Sequence, residues 1–246
     1  KTYHGFKGDT LASALLANDV HLVGRSFKYH RPRGIMTSGS EEPNAIVQIN
    51  PNSNRTEPNV RATEVEIYEG LEASSQNCWP SVEFDIGGIN NFLSPFFPAG
   101  FYYKTFMWPA SFWEKYEFFI RHSAGLGKSP TTNDPDIYDH RNVHYDVLVV
   151  GAGISGILAA KNAAKNNFKT LLVDEKNEIG GSTIFENNEF NKIDNKTPSE
   201  WLKKEIEELK GIKNLEIKTR TSVAAYHQYN YILARENLTD HLEAKD

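Results

Sequence analysis

A glycine pattern set between a buried strand and a helix constrains this chain more than any other feature. Asp146-Val-Leu-Val-Val150 is a short apolar run, as a parallel strand covered on both faces requires. It leads directly into Gly151-Ala152-Gly153-Ile154-Ser155-Gly156, and a helix follows over Ile154 to Asn166. A second buried strand, Lys169-Thr-Leu-Leu-Val173, runs into Asp174. That is close to the roughly 20-residue spacing at which a dinucleotide-binding strand–helix–strand unit places its acidic residue. Each position then has a physical task. Gly151 permits the tight turn, Gly153 lets the backbone approach a pyrophosphate, and Gly156 with Ala160 lets the helix pack closely on the sheet. The helix N-terminus offers free N–H groups and positive dipole to phosphate. Asp174 is suited to accept ribose hydroxyls and to repel a 2′-phosphate. The competing reading is a glycine turn in a nucleotide-free α/β domain.

Asp174 is followed by Glu175-Lys176-Asn-Glu-Ile-Gly180-Gly181-Ser182. The glycine doublet brings backbone close to a pyrophosphate from a second side, or else makes a simple turn. The candidate cofactor-binding residues are therefore Gly151, Ala152, Gly153, Ile154, Ser155, Gly156, Asp174, Glu175, Lys176, Gly180, Gly181 and Ser182. The motif does not separate NAD from FAD, because both present the same adenosine diphosphate half.

The rest of the chain divides at residues 50 and 140. Residues 1–50 read as a small α/β unit, with Asp9 capping a helix from Leu11 to near Asn18 and a strand over Ala45–Ile49. Residues 51–140 form a connecting region. It holds an alternating run from Val60 to Tyr68, which suggests a strand. It also holds the aromatics Phe92, Phe96, Phe97, Phe101, Tyr102, Tyr103, Phe106, Trp108, Phe112, Trp113, Tyr116, Phe118 and Phe119. Such rings either cover one domain with another or form a partner interface. Gly125 to His140 reads as a linker. Residues 141–246 hold the glycine motif. They also hold a capping box, Thr197-Pro-Ser-Glu200, ahead of a helix carrying Leu202, Ile206 and Leu209. Leu215–Thr219 and Ala224–Glu236 read as strands, the second a hairpin turning near Asn230.

Composition excludes several functions. Hydrophobic residues are 39% and charged residues 24%, ordinary for a globular chain. The net charge of −5 gives no global field for nucleic acid, although Arg25, Lys28, His30, Arg31 and Arg33 form a local basic run. That run is a solvated or internally paired loop, or a contact for a partner or a phosphate. No apolar run reaches the roughly 18 residues that span a bilayer. The single cysteine, Cys78, excludes an internal disulfide framework and a thiolate-ligated iron–sulfur cluster made by this chain alone. Beside Trp79, it reads as a small buried hydrophobe rather than a nucleophile. No histidine pair has metal-site spacing, and no catalytic constellation stands out.

Several stretches resemble one family. They are Gly8-Asp-Thr-Leu-Ala-Ser-Ala-Leu-Leu-Ala-Asn18, Val23-Gly-Arg-Ser-Phe-Lys-Tyr-His-Arg-Pro-Arg-Gly34, Ser75-Gln-Asn-Cys-Trp-Pro80, Leu93-Ser-Pro95, Pro98-Ala-Gly-Phe-Tyr-Tyr-Lys-Thr-Phe-Met-Trp-Pro109, Arg220-Thr221, Tyr229-Asn-Tyr231 and Thr239-Asp-His-Leu242. They are similar to the alpha subunits of heterotetrameric sarcosine oxidases, and the glycine doublet is similar to that of two-dinucleotide-domain flavoproteins. The resemblance implies a β-grasp ferredoxin-like domain followed by an incomplete Rossmann-type dinucleotide-binding domain, so an α/β chain with an α+β N-terminal part. Cluster-bearing relatives place cysteines after the Arg-Pro-Arg-Gly element. Here that stretch is Ile35-Met-Thr-Ser-Gly-Ser-Glu-Glu-Pro-Asn44, so the resemblance implies a cluster-free scaffold. It implies a subunit that binds NAD, or FAD at the same site, with a further FMN or FAD elsewhere in a complex with beta, gamma and delta subunits. That complex would demethylate sarcosine oxidatively to glycine, with tetrahydrofolate taking the one-carbon unit and hydrogen peroxide released, in the cytoplasm. Neither nucleic acid nor membrane is implied as a partner. A related amine, proline or opine dehydrogenase subunit and a non-catalytic nucleotide-binding scaffold are the alternatives. The chain is expected to be incomplete at both ends.

Overall fold

The structure is a computed structural model, and it describes residues 1–96, 100, 108–123, 125–186 and 191–242. The chain divides into two compact units, Lys1–Ile137 and Tyr138–His241.

In the first unit, helix α1 (Leu11–Ala17) is capped one residue later than the sequence suggests. Thr10, extended at φ −85° and ψ 161°, accepts the Ser13 N–H, and the Ser13 hydroxyl accepts the Thr10 N–H in return. Asp9 instead accepts the Phe6 N–H at 2.9 Å and the Ser13 hydroxyl at 3.1 Å, bracing the cap from outside. Strands β1 (Gly24–Arg25) and β2 (Pro32–Arg33) pair antiparallel. Strand β3 (Ile46–Ile49) lies between β4 (Glu57–Arg61) and β5 (Ala73–Ser75), antiparallel to both. This sheet runs across residue 50. Its core gathers Leu11, Ala12, Val23, Ala45, Val47, Ala62 and Val65.

The strand expected over Val60–Tyr68 is not formed at that length, because β4 ends at Arg61. The chain turns there, and its carbonyls serve the helix instead of a ladder. Leu11 donates to the Val65 carbonyl at 2.8 Å and Ala12 to the Ala62 carbonyl at 2.9 Å. These are first-turn N–H groups that have no acceptor inside the helix.

Beyond the sheet lie α2 (Ile89–Phe92) and α3 (Trp113–Ser123). Of the aromatic block, Phe92 and Trp108 are each 83% exposed. Phe97, Phe101, Tyr102, Tyr103 and Phe106 lie outside the described residues. The basic run is largely spent inside the unit. Arg25 donates to the carbonyls of Val82 at 2.8 Å, Glu83 at 3.1 Å and His30 at 3.2 Å. His30 Nδ1 lies 2.6 Å from the buried Asp85 carboxylate, and Arg31 donates to Asn91 Oδ1 at 2.8 Å.

In the second unit, β6 (Val147–Val150), β7 (Thr170–Val173) and β8 (Leu215–Lys218) form a parallel sheet in that order. Helix α4 (Ile154–Lys165) connects the first two strands, and α5 (Pro198–Lys210) precedes the third. The central strand β7 is buried at every position, Thr170 included, as a parallel strand covered on both faces requires. Ile157 and Ala160 from α4, Leu172 from β7, and Trp201, Leu202 and Leu209 from α5 share one core. The Thr197–Glu200 capping box and its N1 proline start α5 as the sequence indicates. Lys161 of α4 reaches Glu205 and Glu208 of α5 at 2.6 Å each. Strands β9 (Thr221–His227) and β10 (Tyr231–Glu236) make a separate hairpin that begins three residues ahead of the expected start at Ala224. No helix among the described residues is long and apolar enough to cross a membrane.

Candidate dinucleotide-binding site

The glycine loop lies where β6 hands over to α4. Gly151 donates to the Val173 carbonyl at 2.8 Å, which ties the loop to the end of β7. A Cβ on Gly156 would stand 1.8 Å from the Gly151 carbonyl oxygen, so the helix reaches this close to the loop only without a side chain. Gly153 is the N-cap of α4 and places no side chain over the first turn. The N–H groups of that turn therefore face outward without an intrahelical acceptor. A Cβ on Gly153 would meet nothing within 4 Å. Packing does not demand glycine there, and the open space above it is what an approaching phosphate needs.

Asp174 stands at the carboxyl end of β7. Its Oδ2 accepts the Ala152 N–H at 2.6 Å and its Oδ1 accepts the Lys176 N–H at 2.9 Å. A carboxylate has about four acceptor positions, so each oxygen keeps capacity for a hydroxyl. Glu175 is exposed and Lys176 half-buried. The Gly180-Gly181 turn packs on the loop itself. Gly180 donates to the Ala152 carbonyl at 2.8 Å, and Gly181, at φ +58°, would carry a Cβ only 3.0 Å from the Gly153 Cα. Ser182 is exposed beside it. The structure thus brings the glycine loop, Asp174 and the doublet together around Ala152 and Gly153.

The role of one contributor was not legible in the sequence. Arg220 donates to the Lys176 carbonyl and Thr221 to the Asp174 carbonyl, both at 2.8 Å, while Asp174 donates to the Lys218 carbonyl at 3.0 Å. The turn between β8 and β9 therefore holds Asp174 in place, through parallel-strand register that no local motif announces. Cys78, in the first unit, is half-buried, and burial followed by the Asp85 and Glu83 charges pushes its thiol up, against the opposing pull of Arg25. It lacks the depressed pKa of a reactive thiol.

An α/β unit with this loop and acidic residue has the geometry to receive a dinucleotide. Residues 146–223 match a family model described as FAD dependent oxidoreductase, and residues 1–78 one described as 2Fe-2S iron-sulfur cluster binding domain. The chain is 50% identical over 97% of its length to the sarcosine oxidase subunit alpha of Rhizobium meliloti (strain 1021), and 32% identical over 97% to that of Corynebacterium sp. (strain U-96). It spans 24% of the first relative and 20% of the second. A solved L-proline dehydrogenase from P. horikoshii covers 95% of this chain with a TM-score of 0.54 at 17% identity, a likeness of fold, and 34% of that structure is matched. The chain is thus similar, over nearly its whole length, to the amino-terminal part of the sarcosine oxidase alpha subunit.

The two family models imply two groups, and the residues answer differently. The open face over Gly153, the unpaired first turn of α4 and the Asp174 carboxylate fit an adenine dinucleotide. An iron–sulfur cluster needs cysteine thiolates, and this chain supplies only Cys78. No group of three or more His, Cys, Asp or Glu among the described residues is arranged to hold a metal ion.

Proposed function

We propose that this chain is the nucleotide-binding part of the alpha subunit of a multi-subunit sarcosine oxidase. The observation that carries the reading is the open face of Gly153 at the start of α4, flanked by Asp174 and Gly181. In this reading the second unit is a Rossmann-type domain holding NAD. The first-turn N–H groups of Ile154, Ser155 and Gly156 receive the pyrophosphate, and Asp174 receives the ribose hydroxyls. Gly180, Gly181 and Ser182 close the site from the other side, with Glu175 and Lys176 at its rim. FAD in the same place is the second reading, favoured by the FAD dependent oxidoreductase model matching residues 146–223. Either dinucleotide, when bound, supplies hydride-transfer chemistry, and this chain's residues bind and orient it. The first unit is read as a β-grasp domain without a cluster.

The relatives' names support partner subunits. The proposal assigns beta, gamma and delta subunits, a further flavin outside this chain, and oxidation of sarcosine in the cytoplasm with transfer of the one-carbon unit to tetrahydrofolate and release of hydrogen peroxide. Mass spectrometry of nucleotide released from the purified full-length complex tests it. Stoichiometric NAD beside covalently or tightly held flavin supports the first reading, and FAD alone at this site supports the second. A stable monomer free of nucleotide overturns both.

A further inference from the structure

Residues 36–45 of the first unit fold around one point. Glu42 is 1% exposed, yet its side chain carries a carboxylate. Four backbone N–H groups converge on it from both sides. Met36 and Thr37 donate to Oε2 at 2.7 Å each, and Asn44 and Ala45 donate to Oε1 at 2.7 and 3.1 Å. The Thr37 hydroxyl lies 3.5 Å from the same Oε2. The loop is further tied by the Thr63 hydroxyl, which donates to the Gly39 carbonyl at 2.8 Å, and by Arg61, which donates to the Glu42 carbonyl at 3.1 Å.

Converging backbone N–H groups make a concavity of positive potential. Such nests hold phosphates and iron–sulfur clusters in many proteins. A buried carboxylate is costly unless it is this well bonded, so the nest and its occupant depend on one another. Residues 1–78 match an iron–sulfur domain, and the thiolates for a cluster are absent from this chain. We propose that the loop 36–45 is an anion nest whose resident anion is the chain's own Glu42 carboxylate, which organises this part of the domain in place of a bound anionic group. Its ligand class follows from the donors: a small monocarboxylate or an anion of similar size, held by backbone N–H alone. A plain turn-forming role for Glu42 requires no such site.

The experiment is amide hydrogen exchange on the full-length protein, read at Met36, Thr37, Asn44 and Ala45, with the wild type and Glu42→Ala compared. The four amides exchange slowly together in the wild type at neutral pH. In Glu42→Ala they exchange at least about tenfold faster, the scale of losing the acceptor of buried donors. Sodium formate then slows them again in Glu42→Ala, whereas sodium chloride at equal ionic strength and formate on the wild type leave them unchanged. Protection that is unaltered in Glu42→Ala overturns the proposal, as does formate acting equally on both proteins. If Glu42→Ala does not fold, Glu42→Gln keeps the shape and removes the charge, and unchanged exchange there overturns it too. Fast exchange of these amides in the wild type overturns it whatever the variants do.

Discussion

Asp174 accepts the Ala152 N–H at 2.6 Å, so the acidic residue at the end of β7 is built into the glycine loop it is meant to serve. The carboxylate has two tasks, to shape the loop and to bind ribose. Asp174→Ala is predicted to weaken dinucleotide binding by about 1–3 kcal/mol, the worth of hydrogen bonds to a charged group. Asp174→Asn, whose amide oxygen still accepts the Ala152 N–H, is predicted to lose less. Calorimetry on the two variants separates the tasks. Equal binding of a 2′-phosphorylated dinucleotide by the parent protein would show that Asp174 does not face the ribose.

Gly153 and Gly156 are one turn apart and fail differently. Gly153→Ala puts a methyl into open space, so the fold is predicted to persist while nucleotide occupancy falls. Gly156→Ala drives a methyl into the Gly151 carbonyl, 1.8 Å from its Cβ, and is predicted to lower both thermal stability and occupancy. Unchanged occupancy in Gly153→Ala contradicts the site assignment.

The ion cluster between α4 and α5 predicts a coupled pair. Burial lowers the Lys161 pKa, but the hydrogen bonds it donates to Glu205 and Glu208 outweigh this and raise it. Lys161→Met leaves Glu205, 4% exposed, as an unpaired buried charge and is predicted to cost about 3–5 kcal/mol. Adding Glu205→Leu is predicted to recover most of that loss, measured by urea unfolding as a double-mutant cycle.

Acid is predicted to weaken the first unit. Burial pushes Glu42 up, but the N–H groups of Thr37, Met36, Asn44 and Ala45 together hold it below its ordinary value. Burial likewise raises Asp85, and the Trp79 N–H, His30 and the Gly87 N–H outweigh it. A carboxylate with a depressed folded-state pKa contributes stability above its unfolded value, near 4. That contribution is lost as pH falls through the folded values. Urea midpoints between pH 7 and pH 3 check this, and a Glu42→Gln, Asp85→Asn double variant should show a flatter pH dependence below pH 5. An unchanged slope refutes the assignment.

The purified protein is predicted to hold no cluster in its first unit. Iron and acid-labile sulfide analysis checks it, and a stoichiometric pair with the visible absorption of a [2Fe–2S] centre contradicts the reading of Glu42 as the nest's anion.

Local pattern alone determined the elements around the candidate site. The apolar run of β7, the helix after Gly153 and the Thr197–Glu200 box are all written in residues close together in the chain, because strand burial and helix capping are short-range requirements. Tertiary structure decided what depends on distant groups. The alternating Val60–Tyr68 run ends its strand at Arg61, and its carbonyls accept from the helix start instead. The anchoring of Asp174 by Thr221 also comes from the fold. A buried polar group takes whichever partner the folded chain brings within reach, and sequence spacing does not record that partner when the register of strands supplies it.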